Sequence, residues 1–170
     1  ITTSVVGIGS DRILFRESGT IGASDGTGPL LDNISLTPDQ VNNPPSNPAN
    51  LVVNGSFETA RPNTQGEVTT LFGWQLNNGG VAVRNSGFEG VPSSVGTKHL
   101  DIDYRTAIDG VSQRIQTEAG VAYDLIFDIY ATRPDVASDD QAIVVTWNGR
   151  KIGPDPSGLN ATTAGAWETI

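Results

Sequence analysis

Ala122-Tyr123-Asp124-Leu125-Ile126-Phe127-Asp128-Ile129-Tyr130 is the longest run in the chain with the two-residue period of a half-buried strand. It puts Tyr123, Leu125, Phe127 and Ile129 on one face. No stretch of useful length carries the 3.6-residue period of an amphipathic helix, and 20 Gly and 10 Pro divide the chain into short runs separated by turns. The fold class that follows is all-β. Similar runs lie at Arg12–Phe15, Leu30–Leu36, Leu71–Leu76, Val81–Arg84, His99–Tyr104, Gly110–Ile115 and Ala142–Trp147. Ile1–Val6 and Arg12–Arg16, separated by Gly7-Ile8-Gly9-Ser10, read as a hairpin, and Asn148-Gly149 is the strongest two-residue hairpin turn in the sequence.

The stretch Asn50-Leu51-Val52-Val53-Asn54-Gly55-Ser56-Phe57-Glu58 reads as the first strand of a domain, although it begins nearly a third of the way along. Ahead of it, residues 38–49 hold Pro38, Pro44, Pro45 and Pro48 among Asn and Ser, which makes an extended, exposed linker. Its twelve residues span ~40 Å when fully extended. The organisation expected is therefore residues 1–37 as terminal strands, 38–49 as linker and 50–170 as the main body. Trp167-Glu168-Thr169-Ile170 begins another strand.

Charge and residue types exclude several roles. A net charge of -9 gives neither nucleic acid nor an anionic membrane a basic patch to bind. No apolar run approaches the ~18 residues of a spanning helix. Cysteine is absent and His99 is the lone histidine, so neither a thiol nucleophile nor a Ser/His/Asp triad can be argued. A non-enzymatic role is expected.

The runs NLVVNGSFE, GWQL, LDID, GVSQRIQTEAGVAYDLIFDIYATRP and IVVTWNG together resemble the galactose-binding-like β-jelly-roll modules of secreted bacterial repeat proteins and carbohydrate-binding modules. In that family the strand begun by Trp167 continues through a Gly turn and a strand ending in Phe to a final GxLLDNVSL strand. Here the matching residues, Thr2–Gly7, Arg12–Phe15 and Gly28–Leu36, stand at the other end of the chain. The resemblance implies a jelly-roll β-sandwich in circularly permuted or out-of-phase order. Three arrangements satisfy that order: one period of a tandem array, a permuted domain closing on itself, or subunits donating residues 1–37 head to tail to a neighbour, which generates a fibre.

The resemblance also implies an extracellular or cell-surface location and a structural calcium, matched by Glu58 and Asp32 with Asn54 and Asp101 as further candidates. Calcium takes six to eight oxygens, mixing carboxylates with loop carbonyls. Asp135, Asp139 and Asp140 match no compact ligand loop and read better as a solvated acidic turn. For a polysaccharide partner, Trp74, Tyr104 and Tyr130 offer flat rings to pyranose C–H faces, while Arg84 and Gln113 offer hydroxyl partners. Trp74 fits core packing better; Tyr104 and Tyr130, at strand ends, are better placed for exposure. Two roles emerge: a calcium-stabilised carbohydrate-binding-like module, or a structural subunit of an adhesin array or self-assembling filament built by strand exchange.

Overall fold

The computed structural model describes residues 3–18, 28–39, 49–64, 66–77, 80–102, 109–131, 142–153, 158–159, 163 and 165–170. Among these there is no helix. The strands are β1 (Thr3–Val6), β2 (Ser10–Glu17), β3 (Leu30–Pro38), β4 (Glu67–Val68), β5 (Gln75–Asn77), β6 (Val81–Asn85), β7 (Lys98–Asp101), β8 (Gly110–Gln116), β9 (Ala122–Tyr130), β10 (Ile143–Trp147), β11 (Arg150–Ile152) and β12 (Trp167–Thr169). They form two antiparallel sheets packed as a sandwich. The first runs β1-β9-β3-β7-β6-β4, with β12 also on β9; the second runs β11-β10-β2-β8-β5.

The expected alternation of the longest run holds along β9, where Tyr123, Leu125, Phe127 and Ile129 are buried. Phe127 meets Phe15 of β2 edge to face, with ring centroids 5.1 Å apart, and Trp74 packs on Phe15 at 6.1 Å and on Phe57 at 5.9 Å. Asn148 and Gly149 both have positive φ, 51° and 80°, as the tight β10–β11 turn requires.

Two local expectations are corrected. β1 and β2 do not form a hairpin: β1 pairs with β9 in the first sheet, whereas β2 lies between β10 and β8 in the second. The crossing is fixed by Gly7, whose N–H donates to Val121 O at 2.9 Å and whose carbonyl accepts from Gly120 N–H at 2.9 Å. Residues 50–55 are not a regular strand either. They follow β3 through two backbone bonds, Leu51 N–H to Leu36 O and Ile34 N–H to Gly55 O. β3 bulges between Asp32 and Ser35 with Asn33 at φ 51°, and Asn54 and Phe57 also take positive φ, so no continuous ladder can form. Asn50 replaces part of the ladder with its side chain, whose Oδ1 accepts from both Leu36 N–H and Val52 N–H at 2.9 Å.

Residues 3–18 and 28–39 are built into both layers. Ile13 and Phe15 of β2, and Leu31, Ile34 and Leu36 of β3, lie in the common core with Leu100, Val111 and Ile143. The chain's two ends share one edge of β9. Trp167, Glu168 and Thr169 stand opposite Tyr130, Ile129 and Asp128, Ile170 exchanges both backbone bonds with Phe127, and Thr3 stands opposite Leu125. Of β9's residues between them, only Ile126 separates the two registers.

Candidate functional site

On the outer face of the first sheet a polar layer is buried beneath the segment joining β6 to β7. Because Phe127 and Ile129 point into the core, Asp128 points outward, and its register partners Asp32 on β3 and Thr169 on β12 lie on the same face. Leu31 pairs with Leu100, which sets outward Asp32 and His99 on neighbouring strands; His99 in turn stands opposite Arg84.

The overlying segment is held at almost every residue. Trp167 Nε1 donates to Pro92 O at 2.7 Å, and Ser93 Oγ lies 3.2 Å from His99 Nδ1. Ser94 Oγ donates to Asp128 Oδ2, which also accepts from Asn33 Nδ2 at 3.0 Å, while Oδ1 accepts from Thr169 Oγ1 at 2.6 Å. Asp32 accepts Val95 N–H at 3.0 Å and Asn33 N–H at 2.7 Å. Glu58 takes Thr97 N–H, Thr97 Oγ1 and Lys98 N–H at 2.9, 2.7 and 2.8 Å. One polar layer thus ties β3, β9, β12 and the β6–β7 segment together.

Burial and hydrogen bonding together shift three groups around this segment. Asp32 is pushed up to about 6, first by burial and then by the adjacent Asp128 charge, against the N–H bonds it accepts. His99 is pulled down to about 4 by burial and by the Arg84 guanidinium, so it is neutral at pH 7. Glu58 lies below the usual carboxylate range: burial alone would raise it, but bonds from Thr97 and Lys98 and the Lys98 charge outweigh burial.

The four calcium candidates do not converge. Asp32 and Glu58 reach the same segment, yet both carboxylates are engaged by its donors, and Lys98 Nζ already sits on the carbonyl oxygens of Glu58 and Ala60 at 2.8 and 2.9 Å. Asp101 instead ion-pairs with Arg84, Oδ2 to Nη2 at 3.0 Å. Asn54 closes a turn, accepting from Thr59 N–H and donating to Phe72 O. Among the described residues no group of three or more His, Cys, Asp or Glu could hold a metal ion. In this arrangement Asp32 and Glu58 act as hydrogen-bond acceptors that pin a loop, and the four side chains do not gather around one cation. Removing calcium with EDTA is accordingly expected to leave the melting temperature unchanged by differential scanning fluorimetry, and a drop of several degrees, restored by added calcium, would contradict this.

The sugar-facing candidates are also redistributed. Trp74 is buried among Phe15 and Phe57, with Nε1 donating to Asn54 O at 3.0 Å, and offers no face to a ligand. Gln113 is buried and spends its amide on Val53, accepting its N–H at 2.8 Å and donating to its carbonyl at 2.9 Å. Tyr130 is half-buried against Trp167 at 5.5 Å. Tyr104, with Asp135, Asp139 and Asp140, lies outside the described residues. Arg84, with its side chain 13% exposed and paired to Asp101, stacks 4.4 Å from the ring of Phe88 and, with Asn63, Asn85 and Phe88, lines a hollow of about 300 Å³. Phe88 is 41% exposed.

Several of these residues were not singled out by sequence reasoning. Phe88 lies in a Gly- and Ser-rich segment that reads as loop, and Asp128 reads as the solvent side of a strand. A carboxylate at an outward position of so apolar a strand was the available signal for Asp128.

The fold and site define an all-β sandwich whose ends share one strand edge. The chain matches no family model, no curated protein and no solved structure.

Proposed function

We propose that this chain is a non-enzymatic structural module of an extracellular assembly, in which copies associate head to tail along the β9 edge. The supporting observation is the register. Ile170 is paired with Phe127 and Thr3 with Leu125, so segments from opposite ends of the sequence lie in line where a single strand would run. Such a slot can be filled by a segment of the same chain or, with the same backbone bonds, by that of a neighbour. Filled from a neighbour, the contact is heterologous and propagates into a filament unless its rotation closes a ring. Gel filtration and negative-stain microscopy test the proposal: particles larger than one chain are expected, and a monodisperse monomer at every concentration would remove it.

A second reading is favoured by the Phe88 hollow, where an exposed ring, an arginine and two asparagines stand together as a sugar site requires. Under it the chain is a carbohydrate-binding-like module of a secreted or cell-surface protein. Binding to a polysaccharide panel that is lost in Phe88→Ala would favour this reading, and binding unaffected by that change would leave the hollow without a role.

A further inference from the structure

We infer that β1 alone, Thr3 to Gly7, is the exchanged segment, and that its acceptor on a second copy of this chain is the groove formed by Ala122–Leu125 of β9, the Gly120–Val121 turn and Trp147. This rests on the head-to-tail reading and narrows it from the block 1–37 to five residues.

The difference between β1 and the strands that follow it carries the inference. β2 is paired on both sides, with β10 over Ile13–Glu17 and with β8 over Ser10–Arg16, and β3 lies between β9 and β7. Neither can leave without dividing a sheet. β1 is an edge strand with four register pairs, all to β9, and it brings one side chain, Val5, into the core. Val6 is 56% and Ile8 67% exposed, so the segment leading away from the groove carries little that must stay buried. Gly9, at φ 108°, is anchored to Thr117 through its N–H at 3.1 Å and its carbonyl at 3.2 Å, so β1 parts from β2 on the Gly7–Ile8 side of that anchor.

The groove is selective for the segment it holds. Val5 fills the core position, and Val6 O accepts from Trp147 Nε1 at 3.1 Å. Gly7 is clamped between Val121 O and Gly120 N–H, at a place where a Cβ would stand 2.6 Å from Glu118 O. A segment with valine at one position and glycine two residues on is what this site accepts, and each copy carries that segment at Thr3–Gly7. In the exchanged arrangement a neighbour's β1 runs in line with the host's own β12.

The chain contains no cysteine, so engineered pairs report without background. Ser4→Cys with Asp124→Cys places thiols on register partners of β1 and β9, and Arg12→Cys with Arg114→Cys does so on β2 and β8. The full-length double variants are oxidised separately and run on non-reducing gels. The expected result is a ladder of covalent oligomers from the first pair and an intrachain-linked monomer from the second. Ladders from both would show that a larger block exchanges, overturning the restriction to β1 while keeping head-to-tail association. Intrachain links from both would overturn both. Failure of the first pair to link while the second closes would show that β1 does not occupy the β9 groove, and would also overturn the inference.

Discussion

Phe15→Ala is expected to lower the stability of the sandwich by about 4 kcal/mol, in the range found for emptying a fully buried aromatic site. Phe15 is completely buried on β2, and its ring meets Phe127 of the opposite sheet and Trp74. Truncation therefore removes contacts on both sides of the interface between the layers, and strands on either side cannot close the space without changing register. For a chain of this size the loss corresponds to a fall in melting temperature of roughly 10 °C. Urea unfolding followed by tryptophan fluorescence measures it, with Trp74 adjacent to the cavity. A loss below about 1 kcal/mol would mean that β2 is not a core strand.

Gly55→Ala is the second large effect, through crowding. An added Cβ would lie 2.0 Å from Ile34 O, closer than any real contact, and that oxygen belongs to the backbone of β3. The Gly55 carbonyl also accepts from Ile34 N–H at 3.0 Å, so the chain cannot back away without losing a bond at the bulge. We expect a loss of about 3 kcal/mol, at the upper end for overpacking, by urea unfolding. Gly87→Ala is the control: its Cβ would meet nothing within 4 Å, and the cost there is confined to its φ of 90°. Equal losses at both positions would assign the effect to glycine's backbone freedom and not to the contact with β3.

The period-two pattern made β9, β8, β10 and the Asn148-Gly149 turn legible in the sequence, because alternation and positive φ are local properties. The sequence pattern does not separate a β1–β2 hairpin from a crossing, because a Gly-rich turn between two apolar runs has the same local signature whether the runs pair together or divide between sheets. What separates them, the clamp of Gly7 on Gly120 and Val121, is a contact between residues more than a hundred positions apart. The stretch 50–58 has the local pattern of a strand and is not one, since its ladder is interrupted by positive φ at Asn54 and Phe57 and completed by the Asn50 side chain.

Candidate site residues were legible by type and not by partner. Asp32 and Glu58 do reach one place, but what they hold is the Val95–Lys98 backbone, and amide donors of a loop leave no compositional mark. Gln113 and Trp74 have side chains suited to a sugar, and a strand next to a turn gives no sign that Val53 and Asn54 use those polar atoms first. Arg84 lines a hollow only because Phe88, from the segment between β6 and β7, stacks against it.

On the proposed head-to-tail reading, the β9 edge completed by Thr3–Val6 joins one copy to the next. Sedimentation of the full chain across a wide dilution series, at pH 7, tests it most directly. Species larger than one chain are expected, with an average mass that falls on dilution, and the same shift is expected at fixed concentration from Gly7→Val, whose side chain keeps the segment from seating in the groove. A single monomeric boundary at every concentration, unchanged by Gly7→Val, would contradict it.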